Sequence, residues 1–202
     1  VKVYFFTIVL SRSRYKYVYF TDHPFTTQLS VMAHENAFAF FEGIPQEIVY
    51  DQDSVFMVDE NHGDLVLTKG FNQYVKRQAF DIYFCRKADP ETKGKVENVV
   101  KYVKQNFLYN RSFEDIEILN TEAIAWLHRT GNYMEHGTTK LCPKQQWELE
   151  KDHLKSYKPV EIDLPKGTLY TVRKNNSISY KSNFYSLPQG TYKNSGSEVR
   201  VA

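Results

Sequence analysis

The sequence predicts a two-part α/β protein, a mixed layer of strands and helices followed by a small all-β module, and three observations carry this reading. Up to residue 155, short β-branched and aromatic runs alternate with segments of helical periodicity. After Pro159 the texture changes to short alternating stretches separated by turn residues. With 202 residues, 42% of them hydrophobic, the chain has apolar material for one ordinary core and an appended module. No apolar run is long enough to span a bilayer and no signal-peptide pattern opens the chain. The two cysteines, Cys85 and Cys142, make neither a disulfide framework nor a zinc site, so a reducing, cytoplasmic setting is expected.

Each element follows from its local pattern. Val1–Leu10 is apolar and β-branched, Ser11-Arg12-Ser13-Arg14 is a polar knot, and in Tyr15–Thr21 Val18 and Phe20 alternate with Tyr17 and Tyr19. That is two antiparallel strands joined by a basic turn. Asp22-His23-Pro24 breaks the pattern, and Phe25–Phe41 is helical in period, with Pro24 at its first turn and Gly43 as its C-cap. Ile48-Val49-Tyr50 reads as a short buried strand, and Asp51 sits where it ends. Leu65–Phe80 is predicted to be a second helix, weakened by Gly70, and Ile82–Cys85 another buried strand. Arg86–Gly94 reads as a polar loop, Lys95–Phe107 as an amphipathic helix, and Glu114–His128 and Pro143–Lys155 as two further helices. Gly167–Val172, Ile178–Tyr180, Asn183–Leu187 and Glu198–Val201 are strand-like, at the roughly 8–12-residue spacing of a small barrel or sandwich. The expected organisation is a core over 1–110, a helical extension over 111–157 and the small β-barrel over 158–202. Val1 already lies in a strand-like run, which reads as a piece of a longer protein.

The net charge of +2 says little, but its distribution says more. Glu35–Asp64 holds eight acids and no Lys or Arg, Arg86–Lys104 holds six bases against three acids, and Lys155–Arg200 holds eight against three. An acidic stretch followed by basic ones fits a metal-carboxylate site beside a polyanion surface, and equally an ordinary solvated surface.

The order strand, strand, helix, strand ending in an acid, helix, strand, helix bearing an acid is a way to hold metal ions. Two-metal phosphoryl transfer needs several carboxylates around ions about 3.5–4 Å apart, and Mg²⁺ prefers such hard oxygens. At 100° per residue, Val99, Val100, Val103 and Phe107 form one helix face. Glu97 falls at its edge, beside Lys101 and Lys104. Spacing alone also admits a turn-capping Asp51 and a Glu97–Lys101 i,i+4 pair.

The run Glu47-Ile-Val-Tyr-Asp51, then Asp89-Pro-Glu-Thr-Lys-Gly-Lys-Val-Glu97, Val99-Val-Lys-Tyr-Val-Lys104 and Asn106-Phe, closely resembles bacterial insertion-sequence transposases of the IstA type. These belong to the DDE transposase and retroviral-integrase superfamily. The likeness also takes in His34-Glu-Asn-Ala-Phe38, His136-Gly-Thr-Thr139, Pro143 and Asn183-Phe-Tyr-Ser-Leu-Pro188. It implies an RNase H-like core that cleaves and joins DNA strands, with two Mg²⁺ ions (Mn²⁺ as a substitute) held by a DDE triad. In that triad Asp51 is the second acid and Glu97 the third, 97 − 51 = 46 positions apart. The family's first Asp lies on the first core strand, and this chain starts on the second, so an incomplete triad and an inactive fragment are expected. Asp22 does not substitute, because three inter-strand steps would hold it about 14 Å from the strand of Asp51. Asp53 is read as loop surface.

The resemblance further implies DNA as partner, a homo-oligomer and an AAA+ ATPase helper. Lys93, Lys95, Lys101 and Lys104 are the expected DNA contacts beside Glu97. In the C-terminal module Lys166, Arg173, Lys174, Lys181 and Lys193 are expected on phosphates, with Tyr180 or Tyr185 beside sugar or bases. The alternative function is a non-catalytic DNA-binding or assembly module. His34, His62 and His128 read as surface or satisfied histidines, His136 as locally hydrogen-bonded, Cys85 as a small buried residue, and most of the 15 Tyr and 14 Phe as core.

Overall fold

The computed structural model describes residues 2–50, 57–61, 64–85, 90–160, 168–180 and 183–201. The chain forms two compact units, Val1–Ile162 and Asp163–Ala202.

The first unit opens with β1 (Tyr4–Val9) and β2 (Lys16–Thr21), antiparallel in the register Thr7↔Val18. Arg14 closes their basic turn in the left-handed region (φ 62°) and donates its N–H to Leu10 O at 3.0 Å. Alternation along β2 buries it on both sides: Val18 and Phe20 join one core, Tyr17 another. Its outer edge is closed by two side chains. Asn120 accepts from Phe20 N (2.8 Å) and donates to Phe20 O (2.9 Å). Asn132 does the same at Lys16, at 2.9 and 2.8 Å. Each amide therefore acts as a one-residue strand on edge groups that burial would otherwise orphan.

Helix α1 (Thr27–Phe41) is N-capped by Thr26, whose side chain accepts from Leu29 N at 3.2 Å. The expected cap assignment is corrected at its C-terminus. The left-handed residue is Glu42 (φ 57°), and Gly43 answers a different need. A Cβ on Gly43 would lie 2.6 Å from Leu154 Cβ, because the chain pairs there through Ile44 N to Lys155 O and Lys155 N to Ile44 O.

β3 (Glu47–Tyr50) pairs in parallel with β6 (Asp81–Phe84), matching Tyr50 to Phe84. Between them lie the antiparallel β4 (Met57–Asn61) and β5 (Asp64–Leu67), then α2 (Lys69–Gln78). Leu65–Leu67 is thus strand and not the start of a helix. Thr68 caps α2 by accepting from Phe71 N (3.3 Å), and β5 is a strand because it pairs with the adjacent β4.

Helix α3 (Pro90–Val103) begins five residues before the expected Lys95. Pro90 stands at its start, where a missing N–H costs nothing, and the helix continues through Gly94. A π-helical turn follows at Lys104–Leu108. Helix α4 (Ile116–Trp126), N-capped by Asp115, also runs into a π-helical turn, Leu127–Gly131, and α5 (Pro143–Glu150) ends in a 3₁₀ turn. Val99, Val103, Phe107, Leu119, Trp126 and Leu127 pack on Val18 and Phe20. A second core joins Phe38, Ile48, Tyr50, Phe71, Tyr74 and Phe80, and a third joins Tyr15, Tyr17, Phe41 and Trp147. Aromatic packing is therefore the main use of the Phe and Tyr residues described in this unit.

The second unit contains β7 (Thr168–Thr171) paired with β10 (Glu198–Val201), and β8 (Ser177–Tyr180) paired with β9 (Asn183–Ser186), both antiparallel. Val172 and Ile178 are buried. Among the described residues these are two ladders, without a closed barrel. No described helix is long and apolar enough to cross a membrane.

Candidate active site

The two acids expected from the sequence belong to two places, the residue after Tyr50 and helix α3. Asp51 lies outside the described residues, as do Asp53, His62, Lys166 and Lys181. Tyr50, its neighbour in the chain, is described in full. It is 7% exposed, and its carbonyl accepts the Cys85 N–H at 2.9 Å just past the end of β6. Its hydroxyl meets His34 Nε2 at 2.8 Å, and His34 Nδ1 meets Ser30 O one turn back in α1 at 2.7 Å. A carbonyl only accepts, so Nδ1 carries the proton and Nε2 accepts from Tyr50. His34 is wholly buried, and burial pushes its pKa down to about 4, which leaves the ring neutral. Burial also pushes the Tyr50 phenol well up.

On α3, Val99 and Val103 anchor the helix in the core while Glu97, Lys101 and Lys104 are exposed. Glu97 therefore stands on the solvent side, further out than the expected edge of the apolar face. Lys95 Nζ reaches Ser11 Oγ (3.3 Å), which ties the first half of α3 to the β1–β2 turn. The side chain of Lys93 is outside the description. Among the described residues no three His, Cys, Asp or Glu side chains converge on a point that could hold a metal. Glu97 is a hard-oxygen donor of the kind Mg²⁺ takes, and its expected co-ligand Asp51 is not described.

Among the described residues of the acidic run, Glu35 is committed to the core. Glu35 is 6% exposed and accepts from Tyr74 Oη (2.7 Å), Gln78 Nε2 (2.5 Å), Tyr157 Oη (3.0 Å) and Val160 N (2.9 Å). Four donors saturate this carboxylate, and they bind α1 to α2 and to the chain beyond α5. Burial, then the Glu35 carboxylate, pushes Tyr157 up to about 12. Asp22 is exposed, with its carboxylate 2.7 Å from His23 Nδ1.

The histidines behave as their surroundings dictate. His136 Nδ1 accepts from Thr138 N and Thr139 N at 3.3 and 3.4 Å, and burial together with Lys16 and Arg14 lowers its pKa. His128 is exposed and lies against the Phe40 ring, 5.4 Å between centroids. Cys85 is buried.

In the second unit the Arg173 guanidinium lies over the Phe184 ring at 4.4 Å. Phe184, Tyr185 and Tyr180 are 63%, 47% and 38% exposed, and Tyr180 packs on Tyr170 and Tyr185 with centroids 5.8 and 6.1 Å apart. Lys174 and Lys193 are exposed. Phe184 was not singled out from the sequence. Its position opposite Ser179 in the β8–β9 ladder, next to Tyr180, is what brings it to the basic surface.

No protein-family model matches the chain. It is 52% identical over 202 residues to the Bacteroides fragilis transposase for an IS21-like insertion sequence element, covering 98% of this chain and 38% of that protein. It is 29% identical over 154 residues to the Pseudomonas aeruginosa transposase for insertion sequence element IS21, covering 76% of this chain and 40% of that protein. The chain thus spans about two fifths of the length of these curated relatives. Among solved structures, a simian T-cell lymphotropic virus intasome with PP2A regulatory subunit B56 gamma overlaps 83% of this chain and 56% of its own. There the TM-score is 0.48 and the identity 16%. The HTLV-2 integrase catalytic core domain with magnesium overlaps 70% of this chain and 80% of its own, at a TM-score of 0.42 and 13% identity. At these scores the structural likeness is partial.

Proposed function

Because this chain is a relative of IS21-like insertion-sequence transposases along nearly its whole length, we propose that it supplies the RNase H-like catalytic core and a C-terminal DNA-contacting barrel of a DDE transposase. The observation that carries the reading is the order of a parallel β3–β6 pair followed by α3: in the sequence Asp51 follows β3, and α3, anchored by buried Val99 and Val103, turns Glu97 to solvent. A strand-end acid and a helix acid in that order suit phosphoryl transfer on a polyanion.

Asp51 and Glu97 are the residues that would hold the divalent ions, Mg²⁺ or Mn²⁺. The chemistry such ions supply when bound is activation of the attacking oxygen and stabilisation of the leaving oxygen of a phosphodiester. The chain's own residues do the rest. Val99, Val103 and Phe107 fix the rotation of α3, and the Lys95–Ser11 contact fixes its first half. Lys101 and Lys104, exposed within two turns of Glu97, hold the DNA backbone through its phosphates, with Lys93 in the same role. Two carboxylates leave a two-ion site short of ligands, so a further acid of the longer protein completes it, and residues 1–202 alone are expected to join no DNA. Arg173, Lys174 and Lys181 contact phosphates in the second unit. The assignment carries with it a homo-oligomer, an AAA+ ATPase helper and action on DNA in the bacterial cytoplasm.

The test uses the full-length transposase that carries this chain. Asp51→Ala and Glu97→Ala should each reduce Mg²⁺-dependent strand cleavage and joining by at least about a thousandfold while DNA affinity changes little. Strand transfer by either variant at near wild-type rate would remove that residue from the ligand set, and retention by both would leave DNA binding or assembly as the function.

A further inference from the structure

The β8–β9 ladder leaves one aromatic ring on the surface in unusual company. Its register pairs Ser177 with Ser186 and Ser179 with Phe184, so alternation puts these four residues on one face and Ile178, Tyr180 and Tyr185 on the other. Phe184 is the one large side chain of the four, and it is 63% exposed. One side of its ring is covered by the Arg173 guanidinium, 4.4 Å from the centroid. The backbone of Arg173 is fixed there: its N–H donates to Ser177 O (2.8 Å) and its carbonyl accepts from Asn176 N (2.9 Å). Asn176 closes that turn at φ 51° and is itself held, by Leu187 N–H on its carbonyl (2.7 Å) and Tyr192 N–H on its Oδ1 (2.8 Å). The ring and the cation therefore stand together on a braced turn. The charge around them is positive. Asp163–Ala202 holds six Lys or Arg against two acids, Asp163 and Glu198, and Lys174 and Lys193 are exposed.

A single ring among hydroxyls is a poor seat for another protein, whose docking patches are contiguous and apolar. It suits a flat, anionic ligand with a π-face. The open side of Phe184 offers a stacking surface, the guanidinium and the lysines offer phosphate partners, and Ser179 and Ser186 offer hydroxyls. A duplex shows such a surface only base edges and backbone, because each base face is covered by the next pair. An unpaired nucleotide has a free face. We propose that the Arg173–Phe184 pair is a stacking site for an unpaired DNA base, with the neighbouring cations on the phosphates that flank it. The proposal rests on the reading of the second unit as DNA-contacting, and names the form of DNA that this surface takes.

The experiment titrates the full-length transposase with two probes of unrelated sequence: a short oligothymidylate carrying one fluorescent purine whose emission stacking quenches, and a duplex of the same length. The wild type should quench the single-stranded probe. Phe184→Ala should abolish that quench and weaken single-strand binding about tenfold, within the range for loss of one stacked base, while duplex affinity stays within about twofold. Phe184→Trp keeps a stacking face and should keep the quench. Because Phe184 is largely exposed, neither change removes core packing. Wild-type quenching by Phe184→Ala, equal losses on both probes, or loss of self-association with the quench intact would overturn the proposal. The double variant Lys174→Ala/Lys193→Ala separates this failure from that of the underlying reading. It should weaken both probes alike and leave the quench at saturation unchanged; wild-type affinity for both probes would remove DNA contact by these lysines, whatever the Phe184 variants do.

Discussion

His34 gives the first unit a pH-dependent stability whose sign is fixed by its surroundings. Burial lowers its pKa from 6.5 to about 4, so between those values the unfolded chain takes up a proton that the folded chain refuses. The contribution is complete above pH 6.5 and is lost as pH falls toward 4, amounting at most to roughly 3 kcal/mol over the window. Urea midpoints for the wild type and His34→Gln should therefore converge as pH drops from 7 to 4.5, because the variant has no imidazole to protonate. Parallel curves would show that His34 does not titrate in this way. Glu35, the adjacent residue, has a carboxylate saturated by Tyr74, Gln78, Tyr157 and Val160. One turn of α1 thus places two buried polar groups, one directed to the end of β3 and one to the chain beyond α5.

At the scale of elements, β2 depends on side chains as much as on β1. Removing the Asn120 amide would leave Phe20 N–H and C=O without their partner, and removing Asn132 would do the same at Lys16. Asn120→Ala and Asn132→Ala should each cost about 1–3 kcal/mol, with amide hydrogen exchange accelerated at Phe20 and Lys16 respectively. Unchanged exchange at those two amides would mean that other groups protect the edge. Such contacts join positions 100 and 116 residues apart, and no sequence window contains them. What the sequence does express is local. The strand alternation around Val18 and Phe20, the apolar stripe through Val99, Val103 and Phe107, and the Pro143 helix start all appear in the structure. The departures have their causes in strand pairing, close approach of chain segments and stereochemistry. Leu65–Leu67 became strand because Met57–Asn61 pairs with it, and Gly43 serves the approach of Leu154 while Glu42 takes the left-handed turn. Helix α3 starts early because Pro90 suits a first turn.

At the scale of the molecule, the Lys93-Gly-Lys-Val-Glu97 run made the helix acid and its basic neighbours legible from sequence. It could not reveal that Lys95 is engaged with Ser11, or that the β3 end is braced from α1 by His34. Those contacts depend on how helices and strands meet, not on spacing within either. The central claim is that Asp51 and Glu97, 46 positions apart, close on one divalent ion. Anomalous scattering from crystals of the full-length transposase soaked in Mn²⁺ tests this most directly. The account predicts an ion with carboxylate oxygens of both Asp51 and Glu97 at about 2 Å. Manganese bound elsewhere, or bound at one of these acids with the other turned away, would contradict it.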